Sequence, residues 1–219
     1  MLNFFRTHSP VGREILNRIL QETFSTRLEN KGFIWNQDSL WFTGNKNSIR
    51  QVLKYVKLKG EQGTFSWGVC LDFVPTISGN KIKYHLTDKS VTLHLFEWTD
   101  QYMNSLYGDQ PANDFTTHWG ENEARRSIST LFNNYEKRIF DWFEKANSID
   151  NLTKIAESQI KAGKSYGLHS PDPRFILAFL QARAGDADKA LLSLEQSNEY
   201  KGNGELETKL RQELTKLSI

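Results

Sequence analysis

The stretch Gly63-Thr-Phe-Ser-Trp-Gly-Val-Cys-Leu-Asp-Phe-Val-Pro75 alternates more regularly than any other part of this 219-residue chain. In an extended chain successive side chains point to opposite faces. Phe65, Trp67, Val69, Leu71 and Phe73 therefore share one side, and Thr64, Ser66, Gly68, Cys70 and Asp72 share the other. The pattern predicts a half-buried strand, with three large rings toward a core and a polar side toward water. Pro75 has no N–H for a neighbouring strand and marks its end. The rest of the fold must cover the ring-bearing side.

Upstream, 49–59 is rich in β-branched residues and Leu, with Lys54, Lys57 and Lys59 interspersed. It reads as a strand paired antiparallel with the first through the loop 60–63. A helix over 49–55 is the competing reading, because Val52 and Leu53 could follow Ile49 on one helical face. Segments 33–35 and 40–42 form a hairpin candidate around 36–38, and 45–47 marks another turn. Before them, 11–31 places Leu16, Ile19, Leu20, Phe24 and Leu28 at three- and four-residue steps, predicting an amphipathic helix that Gly32 closes.

Downstream, 82–86 and 91–98 read as further strands, which makes about six. Periodicity then disappears over 99–120, a long loop carrying Tyr102, Tyr107, Phe115 and Trp119. From 121 to 147 runs the strongest helix, with Ile128, Leu131, Phe132, Tyr135, Ile139, Trp142 and Phe143 in one stripe. Glu121 and Glu123 suit its positive end and Lys145 its negative end. Arg125 and Arg126 oppose that dipole, so a nearby carboxylate or an acidic ligand is expected beside them.

These elements specify an α+β fold. An antiparallel sheet of about five to six strands packs against the N-terminal helix and the long helix, forming a domain over 1–147. Beyond it, 148–219 reads as an all-helical appendage, with helices at 149–162, 174–184, 187–197 and 205–217. Gly163 and Gly185 end helices, while Asp172-Pro173 and Asp186 start them. The short link Ala184-Gly-Asp186 requires an antiparallel helix pair, and residues 178–191 resemble the joint of a tetratricopeptide repeat. One repeat cannot bury its own core, so the helices are expected to dock on the domain without independent stability.

Composition narrows the function. The 28 basic and 26 acidic residues leave a net charge of +2, which is no footprint for nucleic acid. The single Cys70 cannot form an internal disulfide, and no run is long and apolar enough for a signal peptide or a membrane span. A cytoplasmic protein without membrane association is expected. No Gly-rich phosphate loop, nucleophile elbow or metal-spaced Cys or His pair occurs, so no metal and no cofactor are expected.

Two classes of function remain. The first is a non-enzymatic protein-binding module. Its surface would join the polar side of the sheet (Lys57, Lys59, Asp72) to the aromatic loop (Tyr102, Tyr107, Trp119), with Arg125 and Arg126 nearby, and its partner would be an acidic protein. Against this, lysines on edge strands can serve only to block sheet aggregation. The second class is a small hydrolase-like enzyme. His85 and His94 would be cross-strand neighbours that join Asp72 in an acid/base or metal cluster.

The run from the leading helix through Lys31-Gly-Phe33, Leu40-Trp-Phe42, 49–59 and Thr64-Phe-Ser-Trp-Gly-Val69 resembles a bacterial family of uncharacterised proteins, the domain of unknown function 4304. The likeness covers roughly the first half of the chain and is structural in kind. It implies an α+β fold with an aromatic-rich sheet and carries over no catalytic residue. Some small bacterial proteins of this type lie beside toxin genes, which implies an immunity role as an expectation.

Overall fold

The computed structural model describes residues 9–36, 40–44, 46–79, 81–84, 91–99, 115–163, 171–200 and 204–218. Its strands are β1 (Phe33–Asn36), β2 (Leu40–Thr43), β3 (Ile49–Leu58), β4 (Gln62–Leu71), β5 (Thr76–Ser78), β6 (Lys81–Lys83), β7 (Leu95–Trp98) and β8 (Thr116–Thr117). Its helices are α1 (Arg13–Glu29), α2 (Glu121–Lys145), α3 (Ile149–Ala162), α4 (Pro173–Arg183), α5 (Ala187–Glu195) and α6 (Gly204–Leu217). The α+β class expected from the sequence is the class observed. Six strands form one antiparallel sheet in the order β1-β2-β3-β4-β7, with β8 also on β4, while β5 and β6 pair separately.

The expected hairpin is present, with Trp35 opposite Trp41 and Ile34 opposite Phe42. The 49–59 segment is a strand, not the competing helix. Its preceding turn lies at Asn47 and Ser48, both with positive φ, between reciprocal hydrogen bonds of Lys46 and Ile49. Two strands are shorter than expected: β7 covers only the end of 91–98, and β6 stops at Lys83. The proposed turn at 37–38 lies outside the described residues.

The reading of 63–75 as half-buried is corrected by the structure. Phe65, Trp67, Val69, Leu71 and Phe73 are buried as expected, but so are Thr64, Ser66 and Cys70. The polarity on that side supplies hydrogen bonds within the sheet, not contact with water. Thr64 Oγ1 lies 3.0 Å from Thr99 Oγ1, and Ser66 Oγ donates to the Glu97 carbonyl at 3.0 Å. Gly68 has no room for a side chain, since a Cβ there would run into the Leu95 carbonyl oxygen and Phe96.

The chain divides into two compact units. The first comprises Met1–Gly44, Val52–Trp67 and Glu97–Phe140; the second comprises Asn45–Gln51, Gly68–Phe96 and Asp141–Ile219. In the first, the apolar stripe of α1 lies on the sheet beside α2. The ring of Phe24 meets those of Trp41 (6.0 Å between centroids), Phe65 (5.8 Å) and Phe132 (4.5 Å), largely edge to face. Exposed ion pairs Arg18–Glu121, Arg125–Glu22 and Arg27–Glu136 join the two helices, each worth less than about 1 kcal/mol.

The second unit has an aliphatic and alanine-rich core. Val69, Leu71 and Leu95 from the strands join Leu152 and Ala156 of α3, Phe175 to Leu180 of α4, Leu194 of α5 and Leu210 of α6. Helix α4 is buried nearly all round, the pattern of a central core helix. The expected caps Asp172 and Asp186 form, accepting backbone N–H bonds from Arg174 and Lys189, and Ser148 caps its helix in the same way by accepting from Asn151. Gly185, at φ 85°, turns α4 into α5, and Ser193 donates to Gln181 Oε1 (2.7 Å) across that pair. The helices after Ser148 thus share their unit with strand residues. No helix among the described residues is long and apolar enough to cross a membrane.

Candidate functional site

In the first unit, β3 passes to β4 through Gly60 (φ 74°) and Glu61 (φ 57°). Glycine reaches this left-handed region freely, whereas Glu does so at a cost of about 1 kcal/mol or more. Two contacts hold Glu61 there. Its carbonyl accepts the His118 N–H at 2.8 Å, and its carboxylate lies 3.1 Å from Lys57 Nζ. The turn is thereby joined to residues 115–120.

That segment is short and tied on both sides. Thr117 and Thr116 pair with Gln62 and Gly63 as β8. On the other side, Val11 N–H bonds the His118 carbonyl (2.8 Å), Trp119 bridges to Pro10, and Gly120 N–H reaches Ser9 (3.3 Å). The end of the expected 99–120 loop is therefore extended structure with period 2. Thr116 and His118 point inward; Trp119 points outward and is 46 % exposed.

Inward lies a buried polar cluster. The Tyr55 hydroxyl contacts Thr116 Oγ1 and lies 2.7 Å from His118 Nε2, while Thr116 Oγ1 donates to the Gly63 carbonyl at 3.1 Å. With the Thr116 proton so engaged, the phenol donates to Thr116 or to His118. Nδ1 of His118 has no hydrogen-bond partner among the described residues. Burial lowers the His118 pKa to about 4; Lys57 pushes the same way and Glu61 partly offsets both. Burial likewise raises the Tyr55 phenol above its usual range. At neutral pH the cluster is uncharged and sealed. It positions the strand that carries Trp119 and offers no solvent-accessible acid or base.

Outward lie charges. Lys57 is paired with Glu61, and Lys59 is exposed at the turn. Arg125, next to the start of α2, pairs with Glu22 (2.7 Å) and Glu121 (3.6 Å); Arg126 pairs with Glu123 (2.8 Å). The carboxylate expected beside Arg125 is thus Glu22 of α1. Lys57 and Trp119 are joined through Glu61 and His118, and Arg125 and Arg126 follow within two turns of helix.

The other expected site residues fall elsewhere. Asp72 belongs to the second unit, 3.3 Å from Arg50 Nε, with its N–H on the Ser48 carbonyl. His94, also in the second unit, is buried, and its Nδ1 accepts the Leu71 N–H at 2.8 Å. That bond places the neutral-form proton on Nε2. Cys70 is buried and its thiol is pushed up to about 11, chiefly by burial. His85, Tyr102 and Tyr107 lie outside the described residues. Among the described residues, no group of three or more His, Cys, Asp or Glu side chains is placed to hold a metal ion.

Tyr55, Thr116 and His118 went unnoticed in the sequence because they are 61 and 63 residues apart. The local signal was the alternation of Thr116-Thr-His-Trp119, too short to stand out beside the aperiodic stretch before it. No protein-family model, no curated protein and no solved structure matches the chain.

Proposed function

We propose that the chain is a non-enzymatic protein-binding module of the bacterial toxin-immunity kind, and that its working surface is the Lys57, Lys59 and Trp119 end of the first unit. The supporting observation is Trp119, about half exposed on a backbone held from both sides. An indole buries a large area with few rotatable bonds, and a fixed backbone lowers the ordering cost of association. Glu61 in a left-handed conformation beside it adds local strain of the sort that binding sites retain. Lys59 and Lys57 suit an acidic partner by speeding its approach. The proposal includes the likeness of the first half to the domain of unknown function 4304 and a cytoplasmic setting.

The test is co-expression in the native host with the products of the adjacent genes, scoring survival and recovery of a stoichiometric complex. Protection by the parent, reduced by Trp119→Ala and by Lys59→Glu with folding intact, is the expected result. Protection untouched by both variants would remove this surface from the proposal; no complex and no protection would end the immunity reading.

A further inference from the structure

A concave feature lies wholly within the second unit and plays no part in the surface just described. Strand β6 and helix α6 enclose an open pocket of about 420 Å³, lined by Lys81, Ile82, Lys83, Tyr84, Lys209, Gln212 and Glu213. Its construction follows from two periodicities. On β6, Ile82 packs against the apolar core, so Lys81 and Lys83 share the opposite, exposed side. On α6, Leu206, Leu210 and Leu214 are buried, which turns Lys209, Gln212 and Glu213 together onto another face. The Tyr84 hydroxyl donates to Glu213 Oε2 at 2.6 Å and closes one side of the pocket.

The charges in this pocket do not cancel. Glu213 is the one carboxylate in the lining, and Lys216 already meets its Oε1 at 2.5 Å. Lys209 pairs with the exposed Glu205 at 2.6 Å. The lining therefore carries three ammonium groups, Lys81 and Lys83 without an ion pair among the described residues and Lys209 shared with Glu205, around a space larger than one phosphate group and beside a phenol, an amide and a carboxylate. Lysines serve well as point charges for phosphate, and the volume falls in the usual range of small-molecule sites.

We propose that this pocket binds a small phosphate-bearing ligand, with Lys81, Lys83 and Lys209 on the phosphate and Tyr84, Gln212 and Glu213 along the remainder. The experiment titrates the full chain with inorganic pyrophosphate at constant ionic strength, by calorimetry and by amide chemical shifts. Saturable 1:1 binding is expected, with shifts centred on 81–84 and 209–213. Lys81→Gln/Lys83→Gln should weaken it at least about tenfold, since each lost charge-assisted contact is worth more than a neutral one. Lys209→Gln, on the helix, repeats the test should the strand variant fold poorly. Lys57→Gln/Lys59→Gln should leave pyrophosphate binding unchanged, which separates this site from the protein-binding surface. A response no different from chloride, or an affinity indifferent to the β6 and α6 lysines, would overturn the proposal.

Discussion

The two units solve the same packing problem with different parts. The first builds its core from rings: Phe24, Trp41, Tyr55, Phe65, Trp67 and Phe132 are all buried, and most meet edge to face. The second relies on Leu and Ile, with Ala146, Ala156, Ala178, Ala182 and Ala190 letting helices approach closely. Rings bring large apolar area together with polar handles. Among the described residues the indole nitrogens of Trp41 and Trp67 have no hydrogen-bond partner, while the Tyr55 hydroxyl is met by Thr116 and His118. An aliphatic core raises no such demand. The first unit is thus where buried polarity and an exposed Trp occur close together in the chain, which is why the proposed protein-binding surface is placed there.

The largest expected effect falls on the ring-based core of the first unit. Trp67→Ala removes a fully buried indole and should cost about 3 to 5 kcal/mol in a denaturant titration. An unchanged midpoint would contradict the ring-based core. Next comes pH. The His118 pKa is about 4 in the folded chain, below its unfolded value near 6.5, so the unfolded chain binds more protons between those limits. The stability linked to His118 is fully present above about pH 6.5 and falls as pH drops toward 4, by up to about 3 kcal/mol. Subtracting the pH profile of His118→Gln from that of the parent should isolate this slope; parallel profiles would show that His118 is not sealed.

Gly68→Ala should be next, at about 1 to 3 kcal/mol, because the added methyl meets the backbone carbonyl of Leu95, which cannot swing away. Thermal unfolding of this variant measures how closely β7 approaches β4. The smallest expected effect on stability is at Trp119. Its replacement by Ala should change stability by less than about 0.5 kcal/mol, as for most surface positions. A larger loss would make Trp119 part of the packing and remove it as a binding anchor.

The same contrast governs how much could be read from the chain. Helices of the second unit were legible almost to the residue, since Asp172-Pro173, Gly185 and Asp186 carry local capping chemistry that needs no distant partner. The hairpin of Phe33–Asn36 with Leu40–Thr43 and the inward rings of β4 were legible for the same reason. What failed was the outer side of β4. Thr64 and Ser66 look solvated by type, and only their partners Thr99 and Glu97, more than thirty residues away, show otherwise. Asp72 was read as part of the same polar side, and its Arg50 partner, 22 residues back, was not visible locally. Of the candidate surface, Lys57, Lys59 and Trp119 were visible individually. Their link through Glu61 and His118 depends on the pairing of Gln62 with Thr117, 55 residues further along the chain.

The central claim is that Trp119 is an outward anchor for another protein, and it can be tested directly by site-specific photocrosslinking in the native host. A photoreactive phenylalanine analogue at position 119 is compared with the same analogue at Leu192, a helix position of the second unit that is 56 % exposed. The account predicts one discrete heteromeric adduct from position 119, diminished by Lys59→Glu and absent from position 192. No adduct from position 119, or the same adducts from both positions, would contradict it.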